Sequence, residues 1–164
     1  MNGDQSVPML PPRLMTAFQN APAEFVDLCR PHSWDELIAV PGQGMRSICD
    51  ILVHLIDAET GWIDHVVRGN PRLALAPESF QNLDQIFALW TPRRATTVQL
   101  IQGLTAHDRA SMRPLPWNAA EFATVEEIVW HVVTHEQYHL GQVFTRLALL
   151  GRRDLPDLDV IRAS

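Results

Sequence analysis

From Thr124 to Gly151 the chain reads as one uninterrupted helix, and a rod of that length leaves few folds open to 164 residues. Thr124 and Glu127 form a capping box, each side chain placed to satisfy the other's backbone amide. An apolar run of helical period follows, and Gly151 suits the residue just past a helix end. A helix over 125–149 is about 37 Å long at ~1.5 Å per residue. Such a helix buries its apolar stripe against partners of similar length.

Three further segments supply those partners. The first lies within 12–30, where Pro22 is expected to split it and Asn20 to cap the second piece. The second, "SICDILVHLIDAETGWIDHVVRG", opens with Ser47 and Asp50 in capping-box spacing and ends at Gly69. The third starts at Asn82 and runs to about Leu104, with a kink or restart expected at Pro92 and Thr91 as its new cap. Strand patterns are weak, and 106–123 reads as a short irregular excursion. The expected fold is all-α, an up-down four-helix bundle formed as a single domain over 1–164, with 1–11 as an irregular lead-in.

The long helix carries three of the chain's seven histidines, in "HVVTHEQYHLGQV". At ~100° per residue, Ile128, Val129, Val132, Val133, Leu140, Val143, Leu147 and Leu150 fill a broad apolar arc. His131, His135, His139, Gln142 and Arg146 line one margin of it. On the second helix Ile48, Ile51, Leu55, Trp62 and Val66 define the apolar arc. His54 stands at its margin, with the small residues Ala58 and Gly61 leaving space beside it. If the two margins face each other, imidazoles from both helices converge at an interhelical groove.

Imidazoles at i and i+4 share a face and can bind one ion at ~2.0–2.1 Å each. A third histidine from another helix completes the set and leaves open positions for water or substrate. Three neutral ligands leave a divalent ion its full charge, so a bound water or thiol becomes acidic. Spacing alone does not choose between His131/His135 and His135/His139. His131 and His139 lie about 12 Å apart along the axis, too far to share an ion. The competing reading is a row of groove-edge histidines bonded to carboxylates or backbone carbonyls.

Composition narrows the chemistry. The net charge is −6, which argues against nucleic acid as a partner. All 13 basic residues are arginine, which excludes a lysine Schiff base. No GxGxxG or P-loop run is present. No run of about 18 apolar residues predicts a membrane span, and Cys29 and Cys49 are too few for a disulfide framework. A reduced, cytoplasmic protein is the expectation.

The segments "SICDILVHLIDAETGWI" and "TVEEIVWHVVTHEQYHLGQVFTRLALLG" resemble the DinB-like superfamily, also called the DinB/YfiT-like metalloenzymes. The first shows a histidine seven residues after a capping serine, His54 after Ser47, followed by Ala58-Glu59. The second shows H-x-x-x-H followed by Gly-Gln, at His135, His139, Gly141 and Gln142. The tail "GRRDLPDLDVI" is also similar, and the resemblance spans roughly 45–160. It implies a four-helix bundle, often a homodimer, with His54, His135 and His139 holding Zn²⁺ or Ni²⁺. It also implies transfer of a low-molecular-weight thiol, such as bacillithiol or mycothiol, to a small electrophilic substrate, or a hydrolase using water. This chain departs from the commonest pattern with Leu140 where an arginine follows the last ligand, and with Tyr138 where a histidine precedes it. A rival reading is a non-catalytic, metal-braced binding or stress-response module. Another is a plain helical dimer without metal.

Neighbouring residues carry smaller expectations. His131 is a structural or supporting histidine one turn before the ligand pair. Gln142 is placed to bond a ligand imidazole or a water at the ion. Glu59 falls inside the apolar arc, about 140° from His54. A buried carboxylate needs a partner, and Arg94 or Arg146 can serve; a role in orienting a ligand is the alternative. His65 is too far along its helix to join His54, and His32 and His107 fall in loops. Trp62 and Trp130 are read as packing residues.

Overall fold

The computed structural model describes residues 8–156. The expected lead-in over 1–7 and the end of the tail lie outside the described residues. Four long helices build the bundle: α1 (Pro12–Cys29), α3 (Ile48–Glu59), α4 (Leu83–Gly103) and α6 (Val125–Leu149). Two short helices, α2 (Trp34–Ile38) and α5 (Ala106–Ala110), lie in the connections. α1 packs on α4 and α3 on α6, while α3–α4 and α1–α6 contacts close the four-sided bundle.

Side-chain caps fix where the helices begin. Ser33, Ser47, Asn82, Thr105 and Thr124 each accept the amide three residues on. Each bond satisfies one of the amides that a helix start leaves without a partner. The boundaries of α6 match those read from its caps.

Pro22 is expected to split α1 and Pro92 to kink or restart α4; both helices are continuous through their prolines. α4 runs through Pro92 without a restart, and Thr91 caps nothing. Pro92 and Ala88 are exposed, so water can take the carbonyl that the proline cannot bond. Pro22 is buried, and the carbonyl it deprives is that of Phe18. The guanidinium of Arg94 reaches across from α4 and donates Nη1–H to that oxygen. A side chain from another helix therefore repairs the gap.

α3 does not continue as an α-helix to Gly69. From Thr60 to Val67 it widens into a π-helix. The Thr60 hydroxyl donates to Ile56 O at 2.9 Å and Asp57 O at 3.1 Å, where the ladder changes step. An α-wheel puts Trp62 and Val66 in the core; the wider turn moves the buried position on by one. Ile63 is buried instead, and Trp62 is half-buried beside the groove. Gly69 closes the helix at φ +74°, the left-handed backbone that glycine adopts without strain.

The stretch read as irregular holds α5 and an antiparallel hairpin. β1 (Met112–Leu115) pairs with β2 (Asn118–Thr124), with Met112 opposite Thr124 and Pro114 opposite Phe122. β2 is exposed along most of its length and lacks the alternation that would have announced it. The lead-in is not wholly loose, because Met9 and Leu10 are buried. Leu150, placed in the apolar arc, is exposed at the end of α6.

The core has two apolar halves. One gathers Phe25, Ile51, Leu52, Ile56, Trp90, Leu140 and Val143. The other gathers Leu10, Phe18, Ile63, Val98, Val129 and Val133. Between them, where Glu59, Arg94 and Glu136 fall in the numbering of their helices, lies a buried polar layer. No helix among the described residues is long and apolar enough to cross a membrane.

Candidate metal centre

His54 comes from α3, and His135 and His139 from α6, the pair of helices that face each other. Their Nε2 atoms converge. His135 Nε2 lies 3.3 Å from His54 Nε2 and 3.1 Å from His139 Nε2. The rings meet edge to face, with centroids 4.4–5.0 Å apart. One nitrogen cannot donate its single proton to two neighbours, so the array does not close as a set of ordinary hydrogen bonds. Four ligands at ~2.05 Å around a tetrahedral ion stand about 3.3 Å apart, which the observed separations approach. These are also the residues that could hold an ion together within 4.8 Å of one another.

The electrostatics favour neutral imidazoles. Burial pushes His54 down to about 4, helped by the positive charge of Arg46 and by His139. Burial does the same to His135, also down to about 4, with His139 and His54 adding to it. His139 is lowered too, by burial first, against its hydrogen bond to Gln142, which works the other way. Rings that stay unprotonated at neutral pH present lone pairs, which is the form a metal ion requires. Arg46 acts on all three imidazoles and makes no ion pair among the described residues.

Gln142, one turn beyond His139, accepts a hydrogen bond from His139 Nδ1 at 2.8 Å. A proton held on Nδ1 leaves the Nε2 lone pair aimed at the convergence point. His131 does not join the three. It is exposed, stacks on His135 with centroids 5.5 Å apart, and meets the edge of Trp62 at 5.0 Å. Trp62 in turn touches Trp117 at the hairpin turn, at 5.6 Å. A row of rings thus leads from the site to the surface. Trp130, read as a packing residue, is partly exposed.

Glu59 lies behind the histidines rather than among them. Its carboxylate accepts Arg94 Nη2–H at 2.9 Å, Arg94 Nε–H at 3.2 Å and Trp90 Nε1–H at 3.1 Å. The partner is Arg94, one of the two expected; Arg146 instead donates to the Arg46 carbonyl at 3.1 Å. Arg94 also donates to Glu136, which the sequence reading missed. The missed signal is positional. Glu136 lies seven residues after Val129, four after Val132 and four before Leu140, all buried, so the helical wheel places it in the core. Burial pushes the Glu136 carboxyl up to about 7, against the pull of Arg94. Burial works against the charge on Arg94, but Glu136 and Glu59 outweigh it and raise its pKa.

The space expected beside His54 is divided. The guanidinium of Arg72 lies over Gly61, so a side chain there would have to displace it. Arg72 is itself held by Asp57 at 2.6 Å. Ala58 does border a cavity. His65 turns away and pairs its Nδ1 with Asn70 O at 2.8 Å. His107 lies in α5 rather than in a loop.

Facing helices of a helical bundle thus bring three imidazoles to one point, a candidate centre for a metal ion. The profile of the DinB superfamily matches residues 17–143. The chain belongs to that superfamily. The uncharacterized protein YizA of Bacillus subtilis is 26% identical over 115 residues, covering 70% of this chain and 72% of YizA. Two solved structures share the fold. YfiT of B. subtilis, a four-helix bundle of unusual topology, superposes with a TM-score of 0.69 at 14% identity, over 85% of this chain and 87% of YfiT. The DinB-like protein YjoA of B. subtilis also gives 0.69, at 16% identity, over 88% of this chain and 96% of YjoA.

Proposed function

We propose that this protein is a divalent-metal-dependent enzyme in which His54, His135 and His139 hold the ion, Zn²⁺ or Ni²⁺. The observation that carries the reading is the convergence of three Nε2 atoms at 3.1–3.3 Å. YfiT, which shares the fold, is described as a probable metal-dependent hydrolase. A bound divalent ion supplies Lewis acidity, lowering the pKa of a water or thiol placed against it. His54 and His135 are only half-buried, so a small substrate has access from the groove. Gln142 keeps His139 in the ligating tautomer. Arg46 adds positive charge beside the neutral imidazoles, which would favour an anionic ligand or substrate group in the groove.

Two reactions fit that preference. Water as the nucleophile gives a hydrolase; a low-molecular-weight thiol gives an S-transferase acting on a small electrophile. The protein is proposed to work as one domain, as a homodimer and in the cytoplasm. Elemental analysis of protein purified without a histidine tag is expected to find about one equivalent of Zn or Ni. His135→Ala is expected to abolish binding. Chelation removes an ion that binds only the folded state, at a cost of ~2.7 kcal/mol where free ion stood at 100 times Kd. Failure of the wild type to bind either ion tightly overturns the reading. Tight binding with no turnover in a screen of thiols and ester or epoxide electrophiles would instead support the metal-braced binding module.

A further inference from the structure

Glu136 is 2% exposed, and only one of its carboxylate oxygens is engaged. Oε2 receives Arg94, whereas Oε1 is buried and has no protein partner. Leaving such an atom unsatisfied costs on the order of 1–3 kcal/mol, so native structures usually supply a partner, often a water. Beside it lies a cavity of about 10 Å³, bordered by Ala58, Glu59, Trp62, Arg94, His135 and Glu136. That is about the room one water molecule needs. Leu55 and Val132 complete the wall, and the polar groups of Glu59, Arg94, His135 and Glu136 meet there as the partners a retained water requires.

His135 borders the same cavity. Its Nε2 faces His54 and His139, and among the described residues its Nδ1 has no hydrogen-bond partner. Its neighbour His139 does have one, in Gln142. An imidazole that ligates a metal needs an acceptor on its other nitrogen to fix ring orientation and tautomer. The orphan oxygen and the unpartnered Nδ1 are complementary once Nδ1 carries the proton, and one water can serve both. We propose that this cavity binds a single structural water that accepts from His135 Nδ1–H and donates to Glu136 Oε1. The Glu59–Arg94–Glu136 cluster then anchors His135 as Gln142 anchors His139. The π-helix sets the size of the cavity, because it turns Trp62 out of the core to become one of its walls. Ala58 sets it too, since a larger side chain there would fill it.

The water link stands on the geometry of the protein's own side chains, and only its effect on affinity rests on the proposed metal centre. The experiment compares wild type, Glu136→Gln and Ala58→Val. Glu136→Gln keeps an oxygen for Arg94 and turns an NH2 donor toward the cavity in place of the accepting oxygen; Ala58→Val displaces the water and leaves every charge in place. Imidazole ¹⁵N shifts of the metal-free protein at pH 7.5 report which nitrogen of His135 carries the proton. Wild type is expected to hold it on Nδ1, and both variants to show mixed tautomers. Chelator competition is expected to show Zn²⁺ affinity falling 10- to 100-fold in both. An Nε2-protonated His135 in wild type overturns the proposal, and so does an Ala58→Val protein unchanged in ¹⁵N shifts. Should Glu136→Gln fail to fold, Ala58→Val alone decides. Expected ¹⁵N shifts without Zn²⁺ binding in any form would uphold the water link and refute the metal reading.

Discussion

Arg94→Met tests the buried layer that joins the two halves of the core. Arg94 spends its donors on Glu59, Glu136 and the Phe18 carbonyl that Pro22 leaves without an amide. Methionine fills much of the same volume and donates nothing. Breaking a buried ion pair from one side costs about 3–5 kcal/mol, because the remaining charge has lost its partner. The orphaned carbonyl adds on the order of 1–3 kcal/mol. Proton uptake by a carboxylate relieves part of this, so a net loss of about 5 kcal/mol is expected. That is comparable with the whole stability of many domains. At about 2–4 °C per kcal/mol for a chain of this size, the melting temperature falls by roughly 10–20 °C. The loss depends on pH. Without Arg94, Glu136 binds its proton more tightly folded than unfolded, so stability falls as pH rises above the unfolded value near ~4.3. The deficit is therefore smaller at pH 5 than at pH 8. Urea titrations at both values measure it. Arg94→Met combined with Glu59→Gln and Glu136→Gln should recover much of the loss, since the unpaired charges are gone. A single-variant loss under about 1.5 kcal/mol, or one independent of pH, would refute the reasoning.

Other expectations follow from the same structure. Arg46→Gln removes a cation that repels the ion, and chelator competition should show Zn²⁺ bound about two- to fivefold more tightly. Thr124→Ala deletes the hydroxyl that accepts Glu127 N–H at the start of α6; denaturant unfolding should show a loss of about 1 kcal/mol. Burial pushes the Cys29 thiol up to about 12 and the Cys49 thiol up to about 11. A disulfide reagent at pH 8 should therefore label neither until the protein is unfolded.

The order of events along each helix was legible before any tertiary structure, because caps and period are local. The Thr124–Glu127 box and the apolar run placed α6 at 125–149, where it is found. The same periodicity put His54, His135 and His139 on the margins of two apolar stripes, and the fold brings those margins together. Prolines misled about helix ends, because a helix can run through a proline where another group satisfies the freed carbonyl. Arg94 supplies that partner from 72 positions beyond Pro22, and no local rule can see it. The hairpin escaped notice because β2 buries almost nothing and so carries no alternation.

What the amino-acid order settles by itself is which residues share a face, since backbone geometry dictates that face within a few turns. What only the tertiary structure decided is which faces meet and what each buried group then finds. Glu59 and Glu136 could each be assigned to the core from the wheel. That both share one arginine, with one oxygen left over beside His135, depends on the spacing of three helices. Packing sets that spacing through contacts between distant parts of the chain.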